Sequence, residues 1–535
     1  MQQFIEKHRD QILGTLSGLD RLVFRGSLPR LNHGHWAMHN GRPVFRATGM
    51  EIYCCENDIL FKDYADHVKK VSERVKAHSL QPFREQGIPV IFERDPKVDK
   101  ENLAREQAAK KGIETGLMCA ISTLEPSPTF EHCGTHIIRR TRPSHVLYHY
   151  QNHAEMGWMH ARIQTWFPFN IQVGINGREW LSRQMDKAGI KYRKEGNCFV
   201  WIEDYQQAQA LLTRQLETCW VDWLEGFARQ LNPIQESLFE QYAASYYWTS
   251  YQSEWATDIV FKDADYLRRL MRLQVRHAVL SHHCVDVLRF MGKKVNQSGD
   301  IPANYSGDLK IDLKRRQEGE RVKFWMNGNS AKFYDKAYSP AGSVFRGAET
   351  TITTGSDFRV YRPKQGGPED QLQWLPMRQG VADLHRRCEI SQKTNERLLN
   401  ALASIDDSRT VEELTADIQK PVSWNKRRVR GLCPWGQDKP LLDAINHGEF
   451  LINGFRNRDL QALLYEAEVT SIEERRRRSA AVSRKLRLLR AHGLAQKVPR
   501  THRYHVTEAG RAIIIAVLTS ARTSAHQLNQ LLQAA

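Results

Sequence analysis

The stretch 454–511 constrains the fold more tightly than any other part of the chain, because its helix signals follow one another closely. Asn457 is a favourable helix N-cap and predicts a short helix directly after it. Ser471 and Glu474 have the spacing of a capping box and predict the start of a long helix. Gly493 predicts the end of that helix, since glycine readily takes the left-handed conformation that follows a helix. The segment therefore begins as two successive helices.

The long helix has two contrasting faces. Val482, Leu486 and Leu489 are spaced i, i+4 and i+7, which places them on one buried stripe. At about 100° per residue, three arginines fall on the opposite side: Arg477, Arg484 and Arg487. This pattern predicts a helix that packs on a core with one side and presents positive charge to solvent with the other.

Two short β-like runs follow, over 494–498 and 503–506, and the basic tip between them contains Arg500. Thr507 then predicts the N-cap of an apolar helix that extends to Leu518. The predicted order is helix, helix, basic helix, two strands with a basic tip, and a final helix.

This order resembles the winged helix-turn-helix family, in which the basic helix enters the major groove and the wing contacts the backbone or the minor groove. The resemblance implies groove contacts from Arg477, Arg484, Lys485 and Arg487. It implies wing contacts from Lys497, Arg500, His502 and Arg503. The alternative is a module that serves only packing or dimerisation, with solvated arginines, so an oligomer is a second candidate state.

Positive charge is concentrated toward the C-terminus. The chain has 535 residues, with 78 Lys and Arg against 61 Asp and Glu, and a net charge of +17. Residues 451–535 contain 15 Lys and Arg against 6 Asp and Glu, so this segment alone has a net charge of +9. Binding to phosphates needs clustering of this kind. We therefore expect duplex DNA as the partner, with RNA as the second candidate.

Two further features bear on the compartment. The sequence has no run of about 18 apolar residues, and its first residues are polar and charged, so neither a membrane span nor a signal peptide is expected. The 9 cysteines are scattered and none form a Cys-x-x-Cys pair, which indicates reduced thiols. We therefore expect a cytoplasmic protein with no membrane partner.

A second basic surface is predicted in the segment 321–336. Asn327 and Gly328 separate two alternating runs, which is the strongest short signal for a two-residue hairpin. This loop fixes the register, and opposite Lys323 stands Lys332. One face is apolar, and the other is basic and aromatic: Arg321, Lys323, Trp325, Lys332, Tyr334 and Lys336. We expect Arg321, Lys323, Trp325 and Lys332 to contact phosphates and bases. The alternative is a solvated sheet face.

The same hairpin contains Tyr334 and Lys336 in a Tyr-Asp-Lys run, and a following strand contains Arg346 and Glu349. These strands resemble those of some replication initiators and relaxases, although this chain has Arg-x-x-Glu where those proteins have Arg-x-Glu. The resemblance implies that Tyr334 attacks a DNA phosphodiester and that Lys336 neutralises the developing charge. It also implies that Glu349 or His160 binds a divalent ion, Mg²⁺ or Mn²⁺, and no other cofactor is expected. The alternative is that Tyr334 stacks or packs.

A polar sheet face is predicted in the N-terminal third. Alternation along one predicted strand puts His160, Arg162 and Gln164 on the same side. Histidine, arginine and glutamine that face the same way are suited to holding a phosphate or a divalent ion. The alternative is a polar face that is satisfied by its own hydrogen bonds.

The complete pattern predicts a multidomain α+β protein with antiparallel sheets. Five consecutive segments are expected: 1–204 as an α+β domain, 205–300 as a helical segment, 301–375 as an antiparallel β module, 376–450 as a helical connector, and 451–535 as a winged helix-turn-helix domain. We also expect a helix over 1–19, an almost entirely helical stretch over 234–292, a basic linker over 425–430 and a helix over 441–450.

A chain that holds nucleic acid at two surfaces suits a mobile or replicating genetic element. The sequence thus predicts a DNA-binding protein with strand cutting or rejoining, as in a nuclease, a recombinase or an initiator. Two alternatives stay open. One is a nonenzymatic protein that assembles on DNA or RNA, and the other is a large transcription regulator.

Overall fold

The computed structural model describes residues 1–535 except 29–45, 96, 240–245, 296–300, 303–304, 317–318, 365–366, 369, 404–410, 448–449, 451–453, 466–470, 500, 525–526 and 528–535. The structure is mixed α/β, with 43% helix, 33% strand and a large mixed sheet. This agrees with the predicted mixture of helices and sheets.

The helices are numbered in chain order over the described residues. They are α1 (Gln2–Lys7), α2 (Ala47–Glu56), α3 (Tyr64–Glu85), α4 (Lys100–Lys110), α5 (Gly177–Ala188), α6 (Tyr205–Arg214), α7 (Trp220–Leu231), α8 (Gln235–Leu238), α9 (Ala264–Ser281), α10 (Cys284–Phe290), α11 (Leu384–Ala403), α12 (Val411–Ala416), α13 (Lys439–Ile445), α14 (Asn457–Leu464), α15 (Ile472–Ala491) and α16 (Glu508–Arg522).

The strands are numbered in the same way. They are β1 (Ile12–Ser27), β2 (Val90–Phe92), β3 (Gly116–Cys133), β4 (His136–His153), β5 (Gly157–Gln164), β6 (Ile171–Asn176), β7 (Tyr192–Glu195), β8 (Cys198–Ile202), β9 (Tyr247–Phe261), β10 (Leu309–Arg316), β11 (Gly319–Met326), β12 (Asn329–Ser339), β13 (Gly342–Ile352), β14 (Arg359–Pro363), β15 (Leu372–Pro376), β16 (Val422–Trp424), β17 (Arg427–Val429), β18 (Ala495–Lys497) and β19 (Tyr504–Val506).

The described residues form two compact units, and each unit is built from separate segments of the chain. The first unit contains 1–15, 257–350 and 392–535, and the second contains 16–256 and 351–391. This grouping differs from the five consecutive segments expected from the sequence, because long strands pair residues that are distant along the chain.

The second unit is organised on strands in the order β1-β6-β5-β4-β3-β2. β1 pairs antiparallel with β6, and β3 and β4 form a long antiparallel ladder. β2 is parallel to β3, so the sheet is mixed rather than purely antiparallel. Val68, Val71 and Val75 of α3 are buried in the same core as Ile163 of β5 and Ile171 of β6. The valines are spaced along one side of the helix, which explains why α3 lies on this sheet.

In the first unit, β10, β11, β12 and β13 are neighbours in that order. The predicted hairpin is confirmed, including its register, since Met326 stands opposite Asn329 and Lys323 opposite Lys332. Asn327 has φ of 53°, the left-handed conformation that the two-residue turn requires. Phe324, on the apolar face, lies 5.0 Å from the ring of Phe290 in α10. Helices therefore cover this face of the strands.

The C-terminal part of the first unit has a hydrophobic core of its own, which joins α12 through α16. Val482, Leu486 and Leu489 of α15 are all buried in it, as their spacing predicts. Ile514 and Val517 of α16 lie in the same core. Residues 411–522 thus form a helical module with its own apolar interior.

Two expected helices are wrong. α1 ends at Lys7, and β1 occupies much of the remainder of 1–19 because Arg21 to Gly26 of the same strand pair with distant β6. The stretch 234–292 contains the long strand β9. Its aromatic and β-branched residues favour a strand, and both Trp248 and Trp255 are buried.

Two smaller expectations also need correction. The basic linker over 425–430 is a hairpin, because Val422 pairs with Val429 around a turn in which Asn425 has φ of 48°. The helix expected over 441–450 begins at Lys439 and ends at Ile445.

Asn457 is not the N-cap of α14. It is the first residue of that helix, and its side-chain nitrogen donates to the carbonyl oxygen of Ser479 and to Oγ of Ser483, both at 2.9 Å. Both serines belong to α15. The amide thus ties two helices together, which is a tertiary role that capping propensity does not reveal.

Candidate nucleic-acid interface

α15 begins and ends where the sequence predicts. Oγ of Ser471 accepts a hydrogen bond from the backbone N–H of Glu474 at 3.1 Å, which satisfies one of the unpaired donors of the first turn. Gly493 has φ of 69° and stops the helix. These local interactions fix the length of α15 and hence the row of side chains that it presents.

The exposed side of α15 is cationic. Arg477, Arg484 and Arg487 are exposed, and none of them forms an ion pair with a residue in the described part of the chain. Two other arginines of the helix are engaged. Arg478 forms an ion pair with Glu474 at 2.9 Å, and the guanidinium of Arg490 lies 4.9 Å from the ring centre of Trp424. We call the first three residues the arginine face.

Lys485 is half-buried and lies beside an ion pair rather than on the arginine face. Arg430 makes two contacts with the buried carboxylate of Asp438, at 2.6 and 2.7 Å. Burial alone would raise the pKa of Asp438, but hydrogen bonds from Arg430 and from the N–H of Cys433, with the charges of Arg430 and Lys485, outweigh it and lower that pKa. Lys485 therefore helps to stabilise the module.

The predicted wing is a hairpin of β18 and β19, in which Lys497 pairs with Tyr504. Lys497 and His502 are exposed, and Arg503 is half-buried. Phe455 forms a further antiparallel bridge to Tyr504, so three chain segments meet here. Arg500 lies outside the described residues.

The predicted basic face of the β11–β12 hairpin is more constrained than expected. Arg321 is 8% exposed and its guanidinium lies 3.6 Å from the carboxylate of Asp312 in β10. The ammonium of Lys323 lies 3.3 Å from the ring centre of Trp325. Lys332 Nζ lies 2.5 Å from Oε1 of Glu349. The cations on this face thus contact partners in the fold as well as solvent.

Tyr334 and Glu349, two predicted catalytic residues, do come together. The Tyr334 hydroxyl donates to Oε2 of Glu349 at 2.8 Å. Nη1 of Arg346 donates to the same oxygen at 2.7 Å, and this guanidinium also contacts both oxygens of Asp258, at 2.7 and 3.0 Å. Glu349, Arg346 and Asp258 are all nearly fully buried. Both oxygens of Glu349 thus already contact cations of the fold.

Lys336 lies two residues beyond Tyr334 on β12 and is half-exposed. It shares a face with Tyr334 because strand side chains alternate. Asp258 is not apparent from the sequence, because it lies in the stretch 234–292, where a helix is expected. Its role becomes visible only once β9 is recognised as a strand.

His160 lies in the other unit, in a packed environment. Its ring is next to those of Tyr148 and Tyr150, at 6.1 and 5.7 Å between centres. Burial lowers the pKa of His160, so the imidazole is neutral at neutral pH. Gly174 stands opposite on β6, and a Cβ there would come within 2.6 Å of the ring.

Arg162 and Gln164 are likewise held by the fold. Arg162 donates to Glu125 at 2.8 Å. The side-chain nitrogen of Gln164 donates to the carbonyl oxygens of Pro128 and Phe167. These hydrogen bonds are of the kind expected for a polar face that bonds to its own neighbours, although Nε of Arg162 has no hydrogen-bond partner among the described atoms.

The sequence analysis also missed two exposed lysines, Lys310 and Lys314 of β10. The strand reads Leu-Lys-Ile-Asp-Leu-Lys, a strict alternation that is itself a strand signal. Lys310 pairs with Trp325 and Lys314 with Arg321, so both lysines lie on the basic face of the hairpin.

Comparison of the chain with protein-family models, with curated proteins and with solved structures finds no match. Within the described ranges, no helix is long and apolar enough to cross a membrane. The chemistry of the exposed surfaces is therefore the basis for a functional proposal.

Proposed function

We propose that this protein binds duplex DNA through residues 411–522, with α15 as the helix that enters the major groove. The arginine face carries the proposal. Arg477, Arg484 and Arg487 are exposed and form no ion pair with any residue that the structure describes, whereas Arg478 and Arg490 on the same helix contact partners in the fold. Exposed guanidinium groups on one helix face are suited to phosphates and to guanine edges.

The connectivity gives independent support. α13, the bridge at Phe455, α14, α15 and the β18–β19 hairpin follow one another in the order typical of a winged helix. In such a module Lys497, His502 and Arg503 lie on the hairpin that flanks the inserted helix. The hairpin then contacts the phosphate backbone while α15 reads base edges.

The test is an anisotropy titration of the full chain with a labelled duplex. We expect Arg484→Ala/Arg487→Ala to weaken binding by about 2 kcal/mol or more, roughly thirtyfold, because two groove contacts are lost. Arg427→Ala/Arg428→Ala is the matched control, since it removes the same charge from exposed positions of the same module. Equal losses in both variants would point to net charge rather than to α15, and unchanged binding would exclude the proposal.

A second candidate function is strand cleavage with Tyr334 as the nucleophile. It is favoured by the 2.8 Å hydrogen bond from its hydroxyl to Glu349, an arrangement of nucleophile and base. The phenol oxygen would attack phosphorus, the P–O bond to the leaving sugar oxygen would break, and the leaving oxygen would take up a proton. The phenol proton would pass to Glu349. Such an activity suits a mobile or replicating element, in the cytoplasm, where the nine free cysteines would stay reduced.

Incubation with single-stranded and duplex DNA, with Mg²⁺, Mn²⁺ or a chelator, tests this candidate through a covalent protein–DNA adduct. Tyr334→Phe should abolish the adduct, and Tyr338→Phe should retain it, because Tyr338 bonds to Asp335 instead. Duplex binding without any adduct would favour a regulator. Preferential binding of structured RNA without scission would favour an assembly protein.

A further inference from the structure

Beyond duplex binding, β10, β11 and β12 create a second surface, which we call the lysine face. It contains the outward side chains of Lys310, Lys314, Lys323, Trp325, Tyr334 and Lys336. In an antiparallel pair, directly opposed residues point to the same side, and the register therefore puts these side chains on one surface.

The lysine face is accessible. Phe324 on the opposite side packs against Phe290 of α10 and against His282, with ring centres 5.0 and 5.7 Å apart. Lys310 and Lys314 are exposed, and Lys323, Trp325, Tyr334 and Lys336 are half-exposed. β10 is also the last strand in its order, so the face continues to a sheet edge.

Two further cations on the same side of these strands contact carboxylates of the fold: Arg321 contacts Asp312, and Lys332 contacts Glu349. Lys310 and Lys314 make no ion pair with any residue in the described ranges. Lys314 stands directly opposite Arg321, and Lys323 stands opposite Lys332 on one side and opposite Asp312 on the other. Closely spaced like charges destabilise a sheet, and a bound anion would reduce that repulsion.

The aromatic residues indicate which anion. Trp325 and Tyr334 lie among the cations, and the ammonium of Lys323 already occupies the face of the indole at 3.3 Å. A π-face that attracts a cation also accepts a nucleobase, and sheet surfaces that combine aromatic rings with cations take unpaired strands. Bases in a duplex are stacked and cannot reach such a surface. We infer that the lysine face binds single-stranded nucleic acid, DNA or RNA.

The test uses the full chain with labelled oligothymidine, labelled oligouridine and a labelled duplex. Lys310→Ala/Lys314→Ala should weaken single-strand binding at least fivefold and reduce the slope of log K against log salt by about 1.4, since about 0.7 per lost phosphate contact is expected. Trp325→Ala should also weaken single-strand binding, and this loss should persist at high salt, where the contribution of the lysines is screened. Oligothymidine and oligouridine distinguish DNA from RNA as the preferred strand.

Arg269→Ala/Arg272→Ala is the matched control, because it removes two exposed cations from α9, which packs on the apolar face. Arg484→Ala/Arg487→Ala should affect only the duplex. The inference is overturned if Lys310→Ala/Lys314→Ala leaves single-strand binding unchanged, in which case those lysines only protect a sheet edge. Failure of duplex binding alone would instead count against the proposed function.

Discussion

The hydroxyl of Tyr334 donates a hydrogen bond to the buried carboxylate of Glu349 at 2.8 Å. Arg346 and Lys332 also form ion pairs with that carboxylate, at 2.7 and 2.5 Å, and Arg346 forms a second ion pair with Asp258. Arg346 thus contacts two buried carboxylates, and the phenol of Tyr334 is bonded to one of them. The tyrosine is held in place whether or not it reacts.

Glu349→Gln should destabilise the protein by about 3–5 kcal/mol, because Arg346 and Lys332 would lose a charged partner inside the fold. Tyr334→Phe should cost less, about 1.5–3 kcal/mol, since it removes one hydrogen bond to a charged group. Urea unfolding of the full chain measures both. Equal losses of stability would mean that the main stabilising contact of Glu349 is the hydrogen bond from Tyr334 rather than its ion pairs with Arg346 and Lys332.

Asp438→Asn should lower the local stability of residues 430–445 at neutral pH. The difference in local stability from the native chain should become smaller as the pH falls. The folded-state pKa of Asp438 is lowered, so its stabilisation is complete above the unfolded pKa of about 3.9 and is lost as pH falls through the folded value. Hydrogen exchange, corrected for intrinsic rates, measures the effect. Asp417→Asn is the control, because that side chain is 94% exposed. A difference that persisted at low pH would exclude this origin.

Gly174→Ala should destabilise the second unit by about 1–3 kcal/mol through overpacking. The added Cβ would meet the His160 ring at 2.6 Å, and Tyr148 and Tyr150 leave that ring little room to move. Thermal unfolding of Gly174→Ala, His160→Ala and the double variant gives a double-mutant cycle, which measures the interaction energy between the two positions. Strict additivity of the two changes in stability would show that the added methyl group does not touch the His160 ring in solution.

Lys497→Ala should weaken binding to all duplex sequences equally and reduce the salt slope by about 0.9, because a wing lysine contacts phosphate rather than bases. Gln496→Ala is the matched control on the same exposed strand. Binding to several duplexes at several salt concentrations measures both quantities. A sequence-dependent loss would contradict a backbone contact.

Local sequence alone determined the parts of this protein whose stabilising contacts lie within a few residues. The cap of α15 at Ser471, its end at Gly493 and the hairpin turn at Asn327 follow from side-chain and backbone geometry over one turn. Because the two ends of α15 are fixed locally, the helical spacing of its residues also predicts its exposed side, where Arg484 and Arg487 lie. The same locality explains why the register of β11 and β12 is right to the residue.

Only the tertiary structure decided which segments pair with distant partners. Residues 12–19 of β1 and the whole of β9 are strands where helices were expected, because these strands are stabilised by strands and cores far along the chain. For the same reason the sequence did not reveal that Asp258 and Arg346 enclose Glu349, nor that Lys310 completes the lysine face. Burial and charge pairing depend on neighbours that a local pattern does not contain.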